Sequence, residues 1–472
     1  MLRGACVLTL LVLTACRSGR VAADLIHSDF ATDPRQQGWV CSDWNLATQA
    51  VGGWSADGYL ALSPGYSPFW VSPQFLVPSS EFFCITVRSR GSVGLCGVGY
   101  NLATTWGRYP HTNSQGLLAA DDWTVMPAQP EWQTNHFCTR ALANAATCGI
   151  RLSGGEVDEV RVTAASRAEV RAWADATYAA MPPLHYTPAR DRFAGLSRIR
   201  NRLQQRQEVT VVLLGDSLMN DTCNSTFDVL LERTYGYAGN TRVHAVAAVG
   251  GGAGVDKWAG DANWNWPRSD LDLQAAVVGQ RPDLVVIGGI SNGTNYAAFE
   301  ALIDRIVGGV SEQFGYTPDI LLVTGAFGPG LDPAGYADQL RMLAEQRAIG
   351  FMDLRSVWLG YVTAAEQQGV PRSHFYRDAV HANHFGKQML GRALVAQLGP
   401  DPPRFFPLQR IGDSVQVRWE TEPGAAYSLW SQAALGSASW TLVNTATATT
   451  DTMCVNVDPS REGEAYYRVS SP

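Results

Sequence analysis

Four apolar runs within one stretch of chain constrain the fold most: Val209 to Leu214, Val243 to Val249, Leu284 to Ile287 and Ile320 to Thr324. None of them alternates polar with apolar residues, and helical patterns separate one from the next. A strand that is apolar on both faces must be covered on both faces, which in a strand-helix-strand series means a parallel sheet between layers of helix. Residues 209–400 are therefore read as one α/β unit.

The first run leads directly into Gly215-Asp216-Ser217-Leu218. Open parallel sheets carry ligand chemistry at the carboxyl ends of their strands, so Ser217 stands where a nucleophile would. The plainer reading makes this turn only the N-cap of the next helix. What favours chemistry is Asp378-Ala379-Val380-His381 near the end of the same stretch. A serine hydroxyl needs a base to take its proton, and the base needs an acid to hold its tautomer. Asp378 and His381, three residues apart on a short loop, can both converge on Ser217. The surroundings of Ser217 are not the GxSxG elbow.

In order and spacing these blocks resemble the SGNH, or GDSL, hydrolase family over about residues 209–398. The resemblance implies a flavodoxin-like α/β/α sandwich, so that α/β is the expected fold class, with an N-terminal β-sandwich and a small C-terminal β module attached. It implies Ser217 as nucleophile, His381 as general base and then acid, and Asp378 as the orienting carboxylate. The oxyanion hole would combine Ser217 itself, a glycine after the second strand and an asparagine after the third. The glycine is Gly251 or Gly252 within Gly250-Gly251-Gly252-Ala253-Gly254. The third block, normally Gly-x-Asn-Asp, here runs Gly288-Gly289-Ile290-Ser291-Asn292-Gly293-Thr294-Asn295. Counting from Pro282-Asp283 selects Asn292, with Asn295 as the alternative and Gly293 where the family has Asp.

Trp258, Trp264 and Trp266 follow the glycine loop, where they would form a substrate wall or simply pack. Trp258 and Asn295 are the candidate substrate-binding residues. His374 and His384 flank the Asp-His loop and are read as structural. No HExxH, phosphate loop or clustered ligand set occurs, so neither metal nor cofactor is expected.

Outside that stretch, residues 24–165 are rich in Gly, Ser, Asn and aromatic residues and read as an antiparallel β-sandwich. They hold seven of the 15 tryptophans, a supply of flat rings suited to stacking on sugars or to core packing. Ser166 and Glu169 form a capping box that opens a helical linker over 166–208. Pro-rich residues 400–403 end the α/β unit, and residues 404–472 alternate as a small β module. Residues 1–23 read as a targeting segment: Arg3, an apolar stretch too short to span a bilayer, then Leu13-Thr14-Ala15-Cys16, which resembles a lipoprotein box. Lipid at Cys16 would be the chain's one attachment to a membrane; cleavage after Ala23 is the alternative, giving a secreted or periplasmic protein. Five of nine cysteines (Cys41, Cys84, Cys96, Cys138, Cys148) lie in the sandwich region without CxxC spacing, which in an exported chain indicates disulfides there.

At 472 residues with 46% hydrophobic content the chain can bury large cores, and its net charge of −7 gives no basic excess for nucleic acid. The expected function is an exported serine esterase that removes acetyl groups from polysaccharide. The rivals are a lipase, thioesterase or acyltransferase on the same scaffold, and a surface protein that binds carbohydrate with little catalysis.

Overall fold

The computed structural model describes residues 24–42, 53–62, 69–102, 120–141, 145–250, 253–260, 273–289, 296–325, 335–400, 405–412, 414–421, 426–432, 441–457 and 466–470. Residues 1–23, Gly251, Gly252, Trp264, Trp266, Asn292 and Asn295 lie outside them.

The expected class, α/β with a flavodoxin-like sandwich, is corrected by the sheets. Among the described residues two six-stranded and two three-stranded sheets are antiparallel, against one five-stranded parallel sheet. Strand outweighs helix among the described residues, 38% to 33%. The cause lies in the flanking segments: the two regions read above as β pair antiparallel over many strands, up to the 12 residues of Gln129–Arg140, and together outweigh the single parallel sheet.

The first two sheets face each other. In one, Phe82–Gly91 is the spine, paired with Gln129–Arg140 on one side and Gly155–Ala165 on the other. In the second, Ala145–Ser153 pairs with Gly94–Leu102. Phe83 of the first sheet meets Phe75 of the second edge to face at 5.3 Å, and Phe83, Ile85, Val87, Val98, Ile150, Leu152, Val160 and Val162 are buried between them. Trp39, Trp70 and Trp123 are at most 2% exposed, so these tryptophans serve packing. Of the five cysteines, Cys84 and Cys138, directly opposed on adjacent strands, form a disulfide. Burial pushes the Cys96 thiol up to about 12 and raises Cys148 as well, which makes both inert as nucleophiles.

The capping box closes as its residues require: Ser166 Oγ accepts from the Glu169 N–H and the Glu169 carboxylate accepts from the Ser166 N–H, opening helix Arg167–Ala179. This helix packs Val170 and Trp173 over the end of the first sheet, beside the disulfide. The parallel sheet follows, ordered Val243–Val249, Val209–Gly215, Leu284–Ile287, Asp319–Val323, Gly350–Met352. Val211, Leu213, Leu214, Val285, Ile287 and Leu321 are completely buried, and each such side chain contributes roughly 1.5–3 kcal/mol against exposure. Because Val209–Gly215 lies between two parallel neighbours, its carboxyl end opens centrally rather than at an edge. The last two sheets enclose Val417, Trp419, Tyr427 and Leu429. Among the described residues no helix is long and apolar enough to cross a membrane.

Candidate active site

Three strand ends come level at one edge of the parallel sheet. Gly215 stands opposite Val249, and Leu214 opposite Ile287. The Gly250 N–H donates to the Gly215 carbonyl (2.9 Å) and the Gly288 N–H to the Leu214 carbonyl (3.1 Å). The turns after the first, second and third strands are therefore tied together. Gly215 has φ 155° and a Cβ there would lie 2.0 Å from the Gly288 carbonyl oxygen, so only glycine fits. Gly289 is equally confined: a Cβ would stand 2.7 Å from the Asp216 carboxyl carbon. Asp216, completely buried, caps helix Ser217–Cys223 by accepting from the Leu218 N–H at 3.0 Å.

Ser217 heads that helix, half-buried. Its Oγ is 2.8 Å from His381 Nε2, and His381 Nδ1 is 2.7 Å from Asp378 Oδ2. An ionised carboxylate only accepts, so Nδ1 carries the imidazole proton and Nε2 offers its lone pair to the serine hydroxyl. The other oxygen, Asp378 Oδ1, accepts from the backbone N–H groups of Val380 and His381, both at 2.7 Å. One aspartate thereby shapes the loop and orients the ring. The structure brings Ser217, Asp378 and His381 together from positions up to 164 residues apart.

Trp258 is 1% exposed and its indole N–H donates to the Gly215 carbonyl at 3.2 Å. It braces the Ser217 turn from beneath; the sequence reading of a substrate-contacting ring is corrected, since a short helix, Val255–Trp258, turns it inward. His374 stacks on Phe385 at 4.1 Å, and His384 contacts Thr124 Oγ1 at 2.6 Å, so both pack outside the Ser217 contact.

Sequence reasoning missed Asp221, Arg377 and Lys387. Asp221, four residues after Ser217 and completely buried, accepts from Arg377 Nη1 at 2.6 Å and from the Ala382 N–H at 3.0 Å. Burial raises its pKa and the Arg377 guanidinium pulls against that. An aspartate on the buried face of the nucleophile's helix was the available signal, but its partner lies 156 residues away. Among the described residues, one group of clustered His/Cys/acid ligand atoms occurs: Cys84, His136 and Cys138. Its two sulfurs are bonded to each other, and a disulfide offers no thiolate to a metal.

No protein-family model matches the chain, and no curated protein matches it. Among solved structures, a family two carbohydrate esterase from Clostridium thermocellum, in complex with cellohexaose, is similar at 13% identity. That match covers 76% of this chain and 98% of that one, with a TM-score of 0.24. The CBM22-1-GH10 modules of Clostridium thermocellum xylanase 10B, complexed with xylohexaose, match at 12% identity over 72% of this chain and 64% of that one, TM-score 0.21. The K3 cleaved adhesin domain of Lys-gingipain from Porphyromonas gingivalis matches at 15% identity over 30% of this chain and 100% of that one, TM-score 0.19. Likenesses this low decide neither fold nor function.

Proposed function

We propose that the chain is an exported serine ester hydrolase of the SGNH/GDSL type, acting on acetylated polysaccharide. The observation that carries this reading is the continuous line of contacts Ser217 Oγ to His381 Nε2 (2.8 Å) and His381 Nδ1 to Asp378 Oδ2 (2.7 Å) at the end of a central parallel strand. In this reading Ser217 Oγ attacks the ester carbonyl while its proton passes to His381 Nε2. The tetrahedral oxyanion is met by the Ser217 N–H, by Gly251 or Gly252 and by Asn292. His381 then gives the proton to the sugar oxygen as its bond to the acyl carbon breaks, so that the sugar leaves as a hydroxyl and an acetyl group stays on Ser217. A water, deprotonated by His381, attacks that acyl-enzyme and releases acetate and free Ser217. Asp378 holds the imidazole tautomer and offsets the imidazolium charge.

Export belongs to the same proposal, with Cys16 as lipid anchor or Ala23 as cleavage point. The carbohydrate part leans on the outer face of the first sheet, where half-buried Trp132 and Tyr59 meet at 6.0 Å beside Arg90. Wild-type protein should hydrolyse p-nitrophenyl acetate and release acetate from acetylated xylan, and Ser217→Ala should do neither. Activity that survives Ser217→Ala overturns the esterase reading; hydrolysis of long-chain lipid esters with no acetate from any glycan overturns only the polysaccharide.

A further inference from the structure

Four charged side chains form a buried line that starts in the N-terminal sheets and ends at the His381 loop. Asp122, on strand Ala120–Met126 of the second antiparallel sheet, pairs with Lys387 of helix His384–Leu398. The Lys387 ammonium also donates to the Trp123 carbonyl at 2.7 Å and lies 4.0 Å from Asp221 Oδ1. Asp221 in turn takes Arg377. The four side chains are exposed by only 12%, 4%, 0% and 4% respectively.

What this line holds is one peptide bond. The His381 carbonyl accepts from the Arg377 N–H at 2.9 Å, and the Ala382 N–H donates to Asp221 Oδ2 at 3.0 Å. The next carbonyl, that of Ala382, accepts from Arg377 Nη1 at 2.9 Å. The peptide joining His381 to Ala382 is thus gripped at both its oxygen and its nitrogen, and the grip on the nitrogen comes from the helix that begins with Ser217. Nucleophile and base are registered on each other by a carboxylate that touches neither reacting atom.

We propose that Asp122, acting through Lys387 and Asp221, is a positioning residue for His381, so that the N-terminal sheets complete the catalytic frame in addition to any binding they do. This rests on the esterase reading above. With Asp122 neutralised, the buried Lys387 ammonium keeps one carboxylate, Asp221, and is drawn towards it. Asp221 then shifts from the Ala382 N–H and from Arg377, and the imidazole loses its alignment. A displacement of about 1 Å costs on the order of 10²-fold in rate.

The test uses the full chain with p-nitrophenyl acetate and counts competent sites by the endpoint of fluorophosphonate labelling. Wild type and Ser217→Ala come first: if wild type is inert, or Ser217→Ala is active, the esterase reading itself fails. Given that reading, Asp122→Asn should lower kcat per labelled site roughly 10- to 100-fold while KM stays within about twofold, the signature of lost alignment rather than lost binding. Asp122→Glu, which restores the charge, should recover part of that loss. A kcat per site within about twofold of wild type overturns the proposal. Should Asp122→Asn fail to fold, Thr139→Val removes the hydroxyl that donates to Asp122 Oδ2 at 2.9 Å and loosens that carboxylate, and is judged by the same criterion.

Discussion

Replacing Asp378 by Asn exchanges one carboxylate oxygen for an NH2 group, and the surrounding donors decide which way the amide turns. With its oxygen kept on the Val380 and His381 N–H groups, the NH2 faces His381 Nδ1. Nδ1 must then accept, the ring proton moves to Nε2, and Nε2 meets Ser217 Oγ as a donor that cannot take its proton. Turning the amide the other way restores an acceptor to Nδ1 but strands two backbone donors. Each unpaired donor costs about 1–3 kcal/mol, so this orientation is worse by about 2–6 kcal/mol. At about 1.4 kcal/mol per decade that leaves a few per cent of the chain, or less, in the productive tautomer. Loss of the negative charge that steadies the imidazolium adds to this, and the combined loss in kcat should be of order 10⁴-fold, or ~5 kcal/mol. The assay is p-nitrophenyl acetate hydrolysis near neutral pH, with Ser217→Ala as the floor and a melting curve to confirm that Asp378→Asn is folded. A folded variant with kcat within about tenfold of wild type would refute the tautomer argument.

Gly215→Ala should cost about 2–6 kcal/mol, from a disfavoured φ and from the clash of its Cβ with the Gly288 carbonyl; thermal unfolding of the whole chain should fall by about 2–6 °C, and an unchanged Tm would show that the turn relaxes. His384 sets an acid limit. Burial pushes its imidazole down to about 3, with His374 adding to the effect, so the folded chain keeps it neutral while the unfolded chain charges it below about 6.5. That stability is complete above pH ~6.5 and is lost as pH falls towards 3, by up to ~1.4 kcal/mol per unit. Melting curves across that window should show His384→Gln with a shallower decline than wild type, and parallel curves would assign the loss to other groups.

The sequence disclosed what is local. The apolar runs at 209, 243, 284 and 320 become four strands of the parallel sheet because short runs of mostly β-branched and aliphatic residues have few alternatives. The fifth strand, Gly350–Met352, is three residues long and sends no such signal. Ser166 and Glu169 fixed a helix start through two hydrogen bonds that need nothing beyond four residues of chain. Within the helical linker Phe193, Leu196, Ile199 and Leu203 stand at helical spacing, yet Phe193 is buried in a turn and Leu196 at the N-cap, ahead of helix Ser197–Gln204. A run of apolar residues at helical spacing does not distinguish a helix from a lead-in that buries the same side chains. The Ser217, Asp378 and His381 pattern was legible because its chemistry restricts residue type and order. Asp122, Lys387 and Asp221 were not: ion pairs across 265 residues leave no mark on spacing, and each charge alone reads as a surface residue. Trp258 was misread for the related reason that burial of a lone tryptophan is settled by a distant partner, here the Gly215 carbonyl.

Arg140 shows how the two halves of the chain are joined. It leaves the first antiparallel sheet 1% exposed, donates to the carbonyls of Cys223 and Ala245, and lies 3.6 Å from Asp228, itself 1% exposed. Arg167 adds bonds to Glu81 on one side and Glu232 on the other, both at 2.7 Å. A joint made of buried charges cannot be cut cleanly: a fragment that keeps Asp228 without Arg140 and Arg167, the guanidiniums 3.6 and 3.9 Å from it, carries an uncompensated charge, a loss of about 3–5 kcal/mol that its own core must absorb. Portable modules that are shuffled between enzymes meet their neighbours through wet, dispensable surfaces. These halves do not, so a gene fusion or truncation drawn at the helical linker divides an electrostatic circuit instead of a string of beads.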